Sequence, residues 1–236
     1  LTPLDFSVNG QDKSIAKWLE AEGFEVVSKW AMGSSPDEIT KSAEADVNLV
    51  VSASGISAAK VLFERYKIPY VIGIPVGHNQ KELISSALEK LAGEKHAHEE
   101  EKDCLMSESL MVHSDITNEY PDRDMEKPVV IIGEYVSSLA LANAVEFELD
   151  IPTRVLCATE CPKDLLREKD SMTPYEDDII PNLADARAII ADPLYKPICP
   201  PDISFISLPS EAFSGRLYRA EIPNLIEDPQ AVLSQL

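Results

Sequence analysis

Residues 50–77 read VVSASGISAAKVLFERYKIPYVIGIPVG, and their order decides the fold. An apolar run from Val47 to Val51 stops at Ser52-Ala53-Ser54-Gly55-Ile56-Ser57. A helical pattern follows through Tyr66, and a second apolar run extends from Pro69 to Val76. The pattern is strand, small-residue turn, helix, strand, the unit that builds a parallel sheet. Four small polar or glycine residues at the mouth of a helix have free backbone N–H groups and hydroxyls to offer an anion. Plain N-capping and a tight turn favour the same residues. No GxGxxG follows a strand and no GxxxxGK[ST] occurs, so the usual dinucleotide and nucleotide-phosphate loops are absent.

The same alternation continues on both sides. Upstream, SIAKWLEAEG predicts a helix stopped at Gly23, and FEVVSKW predicts a strand over 24–30. Ser35 is a candidate N-cap with Pro36 at the first helical position. Downstream of Val76, NQKELISSALEKLAG predicts a helix. PVVIIGE, TRVLCAT, RAIIAD and DISFISL then read as strands, with SSLALANAVEFELD as a helix and EDDIIPNLADA as helical in part. Apolar runs without alternation, separated by helices, are parallel strands covered on both faces. The class is α/β, with two doubly wound Rossmann-like domains whose parallel sheets are flanked by helices. Ligands in such sheets bind beyond the carboxyl ends of strands. That rule selects Ser52–Ser57, Pro75–His78, Gly133–Ser138, Ala158–Cys161, Asp192 and Pro209–Gly215.

Charge divides the chain. Residues 1–93 carry 12 acidic and 9 basic side chains, 94–127 carry 11 and 4, and 128–236 carry 18 and 8. We read 1–93 as a first domain, 94–127 as an acidic connector with no strand pattern, and 128–236 as a second domain, with a cleft between the two. The total of −20 argues against a nucleic-acid partner, which requires clustered Lys and Arg. No run of about 18 apolar residues predicts a membrane span. Four cysteines in 236 residues do not make a disulfide scaffold, and a reducing cytoplasm is the expected setting. The chain begins with Leu1 and runs directly into strand-like residues, which points to a piece of a longer protein.

Self-sufficient catalytic sets are missing from the pattern. His96, His98 and His113 stand in the acidic stretch near Cys104, a weak metal-catching cluster that reads equally as a solvated segment. His78 follows a strand end and is placed to reach a cleft or the surface. Cys157 and Cys161 have three residues between them, which does not match zinc or iron–sulfur spacings. The domain that begins at 128 contains no histidine, so a Cys-His-Asp hydrolase is unsupported.

NLVVSASGISAAKVLFERYKIPYVIGIPVG resembles the nitrogenase component 1 family, in its N-L-V strand, its small-residue turn, its helix ending E-R-Y-K-I-P, and its strand ending P-V-G. ADARAIIADPLYKP and ISLPSEAFSGRLY are similar to that family's last domain. The resemblance implies the second and third α/β domains of a component 1 subunit. It implies iron–sulfur cysteines in a first domain outside this chain, and no cofactor of this chain's own. It also implies pairing with a homologous component 1 subunit and electrons from an ATP-dependent iron–sulfur reductase.

Two departures limit what carries over. In catalytic members a Cys just after the N-L-V strand and a His after aromatic-Ser-Gly hold the metal cofactor. Ser52 and Tyr218 stand at about those places here, and neither a hydroxyl nor a phenol replaces a thiolate or an imidazole. The resemblance therefore implies a cleft lined by Ser52, Ser54, Gly55, Ser57, Glu134, Ser137, Asp192, Ser214 and Tyr218, binding a metal cofactor or a reducible substrate by hydrogen bonds. A non-catalytic structural partner or cofactor-assembly scaffold is the alternative that the missing Cys and His suit.

Overall fold

The computed structural model of the chain describes residues 8–100, 109–112 and 127–236. Helix α1, Gln11–Ala21, ends as its sequence dictates. Gly23 takes a left-handed φ of 91°, and the Phe24 amide donates back to Leu19 O at 2.9 Å. That is a glycine C-terminal cap. Helix α2, Pro36–Thr40, begins with a complete capping box: Ser35 Oγ accepts from the Glu38 amide, and the Glu38 carboxylate accepts from the Ser35 amide at 2.6 Å.

Strand β1 (Asn48–Val50), helix α3 (Ala53–Tyr66), strand β2 (Tyr70–Ile72), helix α4 (His78–Glu100) and strand β3 (Ser109–Met111) come next. They form a parallel sheet in the order β1-β2-β3. Two expectations are corrected here. Phe24–Trp30 is not a strand. Two of its donors go to side chains rather than to a ladder: the Lys29 amide to Ser34 Oγ at 2.7 Å, and the Trp30 indole to Ser42 Oγ at 2.7 Å. The segment lines a groove of about 560 Å³ together with Asn48 and Leu49. The acidic stretch, in turn, contains β3. Its short apolar run, Ser109–Val112, is enough for one edge strand, and the surrounding charge conceals it.

The second sheet uses β4 (Val129–Gly133), β5 (Thr153–Cys157), β6 (Ser171–Met172), β7 (Ala188–Ala191) and β8 (Ser204–Ser207), all parallel, in the order β6-β5-β4-β7-β8. Helix α5, Tyr135–Leu149, links β4 to β5. Short helices α6 (Glu176–Ile179), α7 (Gly215–Tyr218) and α8 (Gln230–Leu233) complete the described α-helices. Alternate strand residues enter opposite cores. Val129, Ile131, Val155 and Ile190 pack on one face, and Val130, Ile132, Leu156 and Ile189 on the other. Both faces are apolar, so the runs show no alternation.

The two sheets share a core. Val50 and Ile72 of the first sheet join α5 and Val129, Ile131 and Ile190 of the second in a single cluster. Eleven of the 15 residues of α5 are buried, so this helix is sandwiched rather than amphipathic. A cluster of charged side chains beside this core is internally paired. Arg167 forks onto Asp170 at 2.7 and 3.1 Å and reaches Glu146 at 3.2 Å, while Lys169 meets Glu146 at 2.6 Å. Thr153 and Tyr135 donate to the same two carboxylates. Burial works against the Arg167 charge, yet hydrogen bonding to Asp170 and the nearby carboxylates raise its pKa above the usual value. Two cations and two anions balance in place, as buried charges require.

Candidate functional site at the strand-order switch

Strand order reverses at β4. The chain moves from β4 to β5 to β6 on one side, then returns to β7 and β8 on the other. A crevice opens at such a point, between the carboxyl ends of the diverging strands. A pocket of about 90 Å³ lies there, lined by Gly133, Glu134, Ser137, Asp192, Ser210 and Phe213 among others. A Cβ on Gly133 would lie 2.7 Å from Ser138 Oγ, so a larger residue there requires that hydroxyl to move.

Asp192 directly follows β7 and is 3% exposed. Its Oδ1 accepts from the Leu194 amide at 2.9 Å, and Oδ2 accepts from the Ser210 amide at 2.9 Å and Ser214 Oγ at 2.6 Å. The carboxylate thus ties the end of β7 to the turn after β8, and Ser214 braces the pocket from behind.

Glu134 does something the sequence did not disclose. Its Oε2 caps its own helix, accepting from the Ser137 amide at 2.9 Å and Ser137 Oγ at 3.0 Å. Its Oε1 crosses to the first sheet and accepts from the Ala53 amide at 2.8 Å, at the N-terminus of α3. The small-residue turn therefore does hold an anion, and the anion is a side chain of this same chain. Ser52 caps α3, accepting from the Ser54 amide at 3.3 Å, with the two hydroxyls 2.9 Å apart. Ser52 is 1% exposed, Gly55 is buried, and Ser54 and Ser57 are exposed. Glu148, at the other end of α5, repeats the device: its Oε1 accepts from the His78 amide at the start of α4, at 3.2 Å. Asn143 between them donates to Val112 O at 3.1 Å.

The expected cleft set thus divides. Glu134, Ser137 and Asp192 line the pocket and Ser214 bonds to its wall. Ser52, Ser54, Gly55 and Ser57 form the neighbouring α3 mouth, which Glu134 joins to the pocket. Tyr218 is half-buried, one turn beyond Ser214, and is not among the lining residues. Sequence reading missed Gln11 from α1 and Ile222, Pro223 and Leu225 from the C-terminal segment, which also line the pocket. They arrive by long-range folding: Asn9 donates to Ile222 O at 2.6 Å, and Ser14 to Glu227 at 2.7 Å. No local motif marks them.

The histidines and cysteines, Cys199 among them, are not among the residues that line the pocket. His78 turns its ring to Glu82 at 3.3 Å on the surface, and His96 lies 3.6 Å from Asp46. Cys157 donates to Thr159 O at 3.1 Å and Cys199 to Tyr195 O at 3.2 Å. Burial, with the Cys157 thiol beside it, pushes the Cys161 thiol up to about 12. His113 and Cys104 lie outside the described residues, and of the His98 side chain nothing is described. Among the described residues no group of three or more His, Cys, Asp or Glu is arranged to hold a metal ion, and no helix is long and apolar enough to cross a membrane.

The geometry defines a doubly wound α/β protein with its pocket at the strand-order switch. The sequence model of the nitrogenase component 1 type oxidoreductases matches residues 4–227, and the chain belongs to that family. No curated protein matches it.

Proposed function

We propose that the chain serves a nitrogenase-like component 1 oxidoreductase, and that the switch-point pocket receives a small, uncharged reducible group of an organic substrate. The observation that carries this is the position of the pocket: Glu134, Ser137 and Asp192, marked by the strand-end rule, converge there. The donor set does not fit a metal cluster. The lining contains no Cys or His, and each carboxylate already accepts three hydrogen bonds from protein donors. With those acceptors engaged, the lining offers apolar contact from Ile131, Leu208, Phe213 and Leu225 and a few hydroxyls. Electrons come from iron–sulfur clusters outside this chain, delivered by an ATP-dependent reductase to an assembly with a homologous subunit.

The test is Ser210→Phe, which fills the pocket. In the assembled enzyme it lowers turnover at least tenfold while leaving the thermal midpoint of the chain unchanged. Unaltered turnover refutes the assignment. Iron and acid-labile sulfide, measured on the natural assembly purified without oxygen, test the electron route separately.

A second reading rests on the pocket's size. About 90 Å³ is well below the roughly 300 Å³ at which ordinary ligand pockets begin. A non-catalytic structural partner or assembly scaffold of the same family needs no larger site. Absence of iron from the natural assembly moves this reading ahead.

A further inference from the structure

The three-stranded sheet has an open edge, because β1 stands at its end and pairs with β2 alone. The Asn48 amide donates to Pro69 O at 2.9 Å, and Val50 O accepts from the Gly73 amide at 3.0 Å. Main-chain groups alternate sides along a paired strand. Leu49, between these two residues, therefore turns its N–H and C=O away from β2 and toward the unpaired edge. Leu49 is also part of the lining of the groove of about 560 Å³.

Phe24–Trp30 supplies another wall of that groove. Among the described residues, the main-chain groups of Glu25, Val26 and Val27 make no hydrogen bond. This wall is moored at both ends. The Phe24 amide is tied to Leu19 O at 2.9 Å, the Lys29 amide to Ser34 Oγ at 2.7 Å, and the Trp30 indole to Ser42 Oγ at 2.7 Å. The groove thus offers unpaired main-chain donors and acceptors on two walls. Aliphatic side chains from α1, α3 and α4, such as Leu19, Leu62 and Leu88, line the rest.

Size and charge narrow the occupant. A strand residue in a sheet covered on both faces fills roughly 160 Å³, from its rise, the strand spacing and the layer spacing. The groove has room for about three to four residues of extended chain. Glu25 and Glu44 are exposed at the groove and have no ion-pair partner among the described residues. Lys29 is the sole Lys, Arg or His of the lining, and Asp12 holds it at 3.1 Å.

We infer that this groove takes an extended segment of a partner protein, apolar at its centre and flanked by Lys or Arg, which adds to the sheet beside β1. Strand addition draws affinity from main-chain hydrogen bonds and selectivity from the side chains around them. An apolar small molecule would fill the volume but leave the main-chain groups of both walls unmet. The inference concerns the groove at β1 and does not depend on what the switch-point pocket binds.

The test is fluorescence anisotropy of a labelled peptide, KVIVK, titrated with the 236-residue chain. Saturable binding is expected. The Leu49 amide is expected to exchange its hydrogen at least about tenfold more slowly with the peptide bound than without it. The same peptide N-methylated at two successive residues, whose N–H groups face opposite walls, is expected to bind at least about tenfold more weakly. Glu25→Lys with Glu44→Lys reverses the rim, so EVIVE is then expected to bind more tightly than KVIVK. Both side chains are exposed, and circular dichroism checks that the variant folds. Absence of saturable binding, equal binding of the N-methylated peptide, or a reversed variant that still prefers KVIVK each overturns the inference. So does a Leu49 amide already protected in the free chain, the mark of Glu25–Val27 closing on β1 instead.

Discussion

Replacing Glu134 with alanine tests whether one carboxylate holds the two sheets in register. The side chain accepts three hydrogen bonds: two from Ser137 in its own helix and one from the Ala53 amide at the mouth of α3. Losing an N-terminal cap costs about 1 kcal/mol. Leaving the Ala53 amide without its charged acceptor in a half-buried place adds about 1.5–3 kcal/mol. The sum is about 2.5–4 kcal/mol, which for a chain of this length lowers the melting midpoint by roughly 5–15 °C. Glu134→Gln keeps one carbonyl acceptor and is expected to lose about half as much. Urea unfolding monitored by circular dichroism gives the free energies, and amide hydrogen exchange at Ala53 gives the local signature. Alanine is expected to speed exchange there by more than the global loss of stability accounts for. Glu134→Ala within about 0.5 kcal/mol of wild type, with Ala53 exchange unchanged, refutes the coupling.

Arg167→Met leaves Glu146 and Asp170 buried with Lys169 as their remaining cation, and is expected to cost about 3–5 kcal/mol in urea unfolding. Adding Asp170→Asn to that variant recovers part of the loss. Gly77→Ala forces a side chain into a left-handed φ of 78° and into the Glu148 carboxylate, and should cost more than about 1 kcal/mol by the same measurement. Cys161, pushed up to about 12, holds its proton more tightly in the folded chain than in the unfolded one, where its ordinary value is 9.0. Its contribution to stability is therefore complete below about pH 9 and lost as pH rises from there toward 12. In a variant whose other three cysteines are replaced by Ser, Cys161 at about pH 8 is expected to react with a disulfide reagent more slowly in the folded chain than in urea, and equal rates contradict the raised pKa.

Much of the fold was legible because its signals are local. Continuous apolar runs, Gly23, Ser35-Pro36 and the Ser52 turn each act within a few residues, and each occurs where its own chemistry requires. Phe24–Trp30 misled because β-branched residues record an apolar environment as readily as a strand. Beside α1 the Lys29 amide donates to Ser34 Oγ and the Trp30 indole to Ser42 Oγ, and the segment is not part of the β1-β2-β3 ladder. Strand β3 was hidden for the opposite reason, since four suitable residues sit within a run of acids.

The pocket was legible only in part. Glu134, Ser137 and Asp192 are found by asking which residues stand just past the end of a strand, a local question. Gln11 and Leu225 come from the two ends of the described chain, and nothing in their own neighbourhoods marks them. The small-residue turn shows the same division more sharply. Its residues state that an anion belongs there, because the N-terminus of any helix presents unsatisfied N–H groups. They do not state where the anion comes from. Here α5 supplies Glu134 at one end and Glu148 at the other, so the mouths of α3 and α4 each accept a carboxylate from the second sheet's helix. An external anion at either mouth must displace a carboxylate that also positions the two sheets. The turn is thereby a fastening between the two sheets.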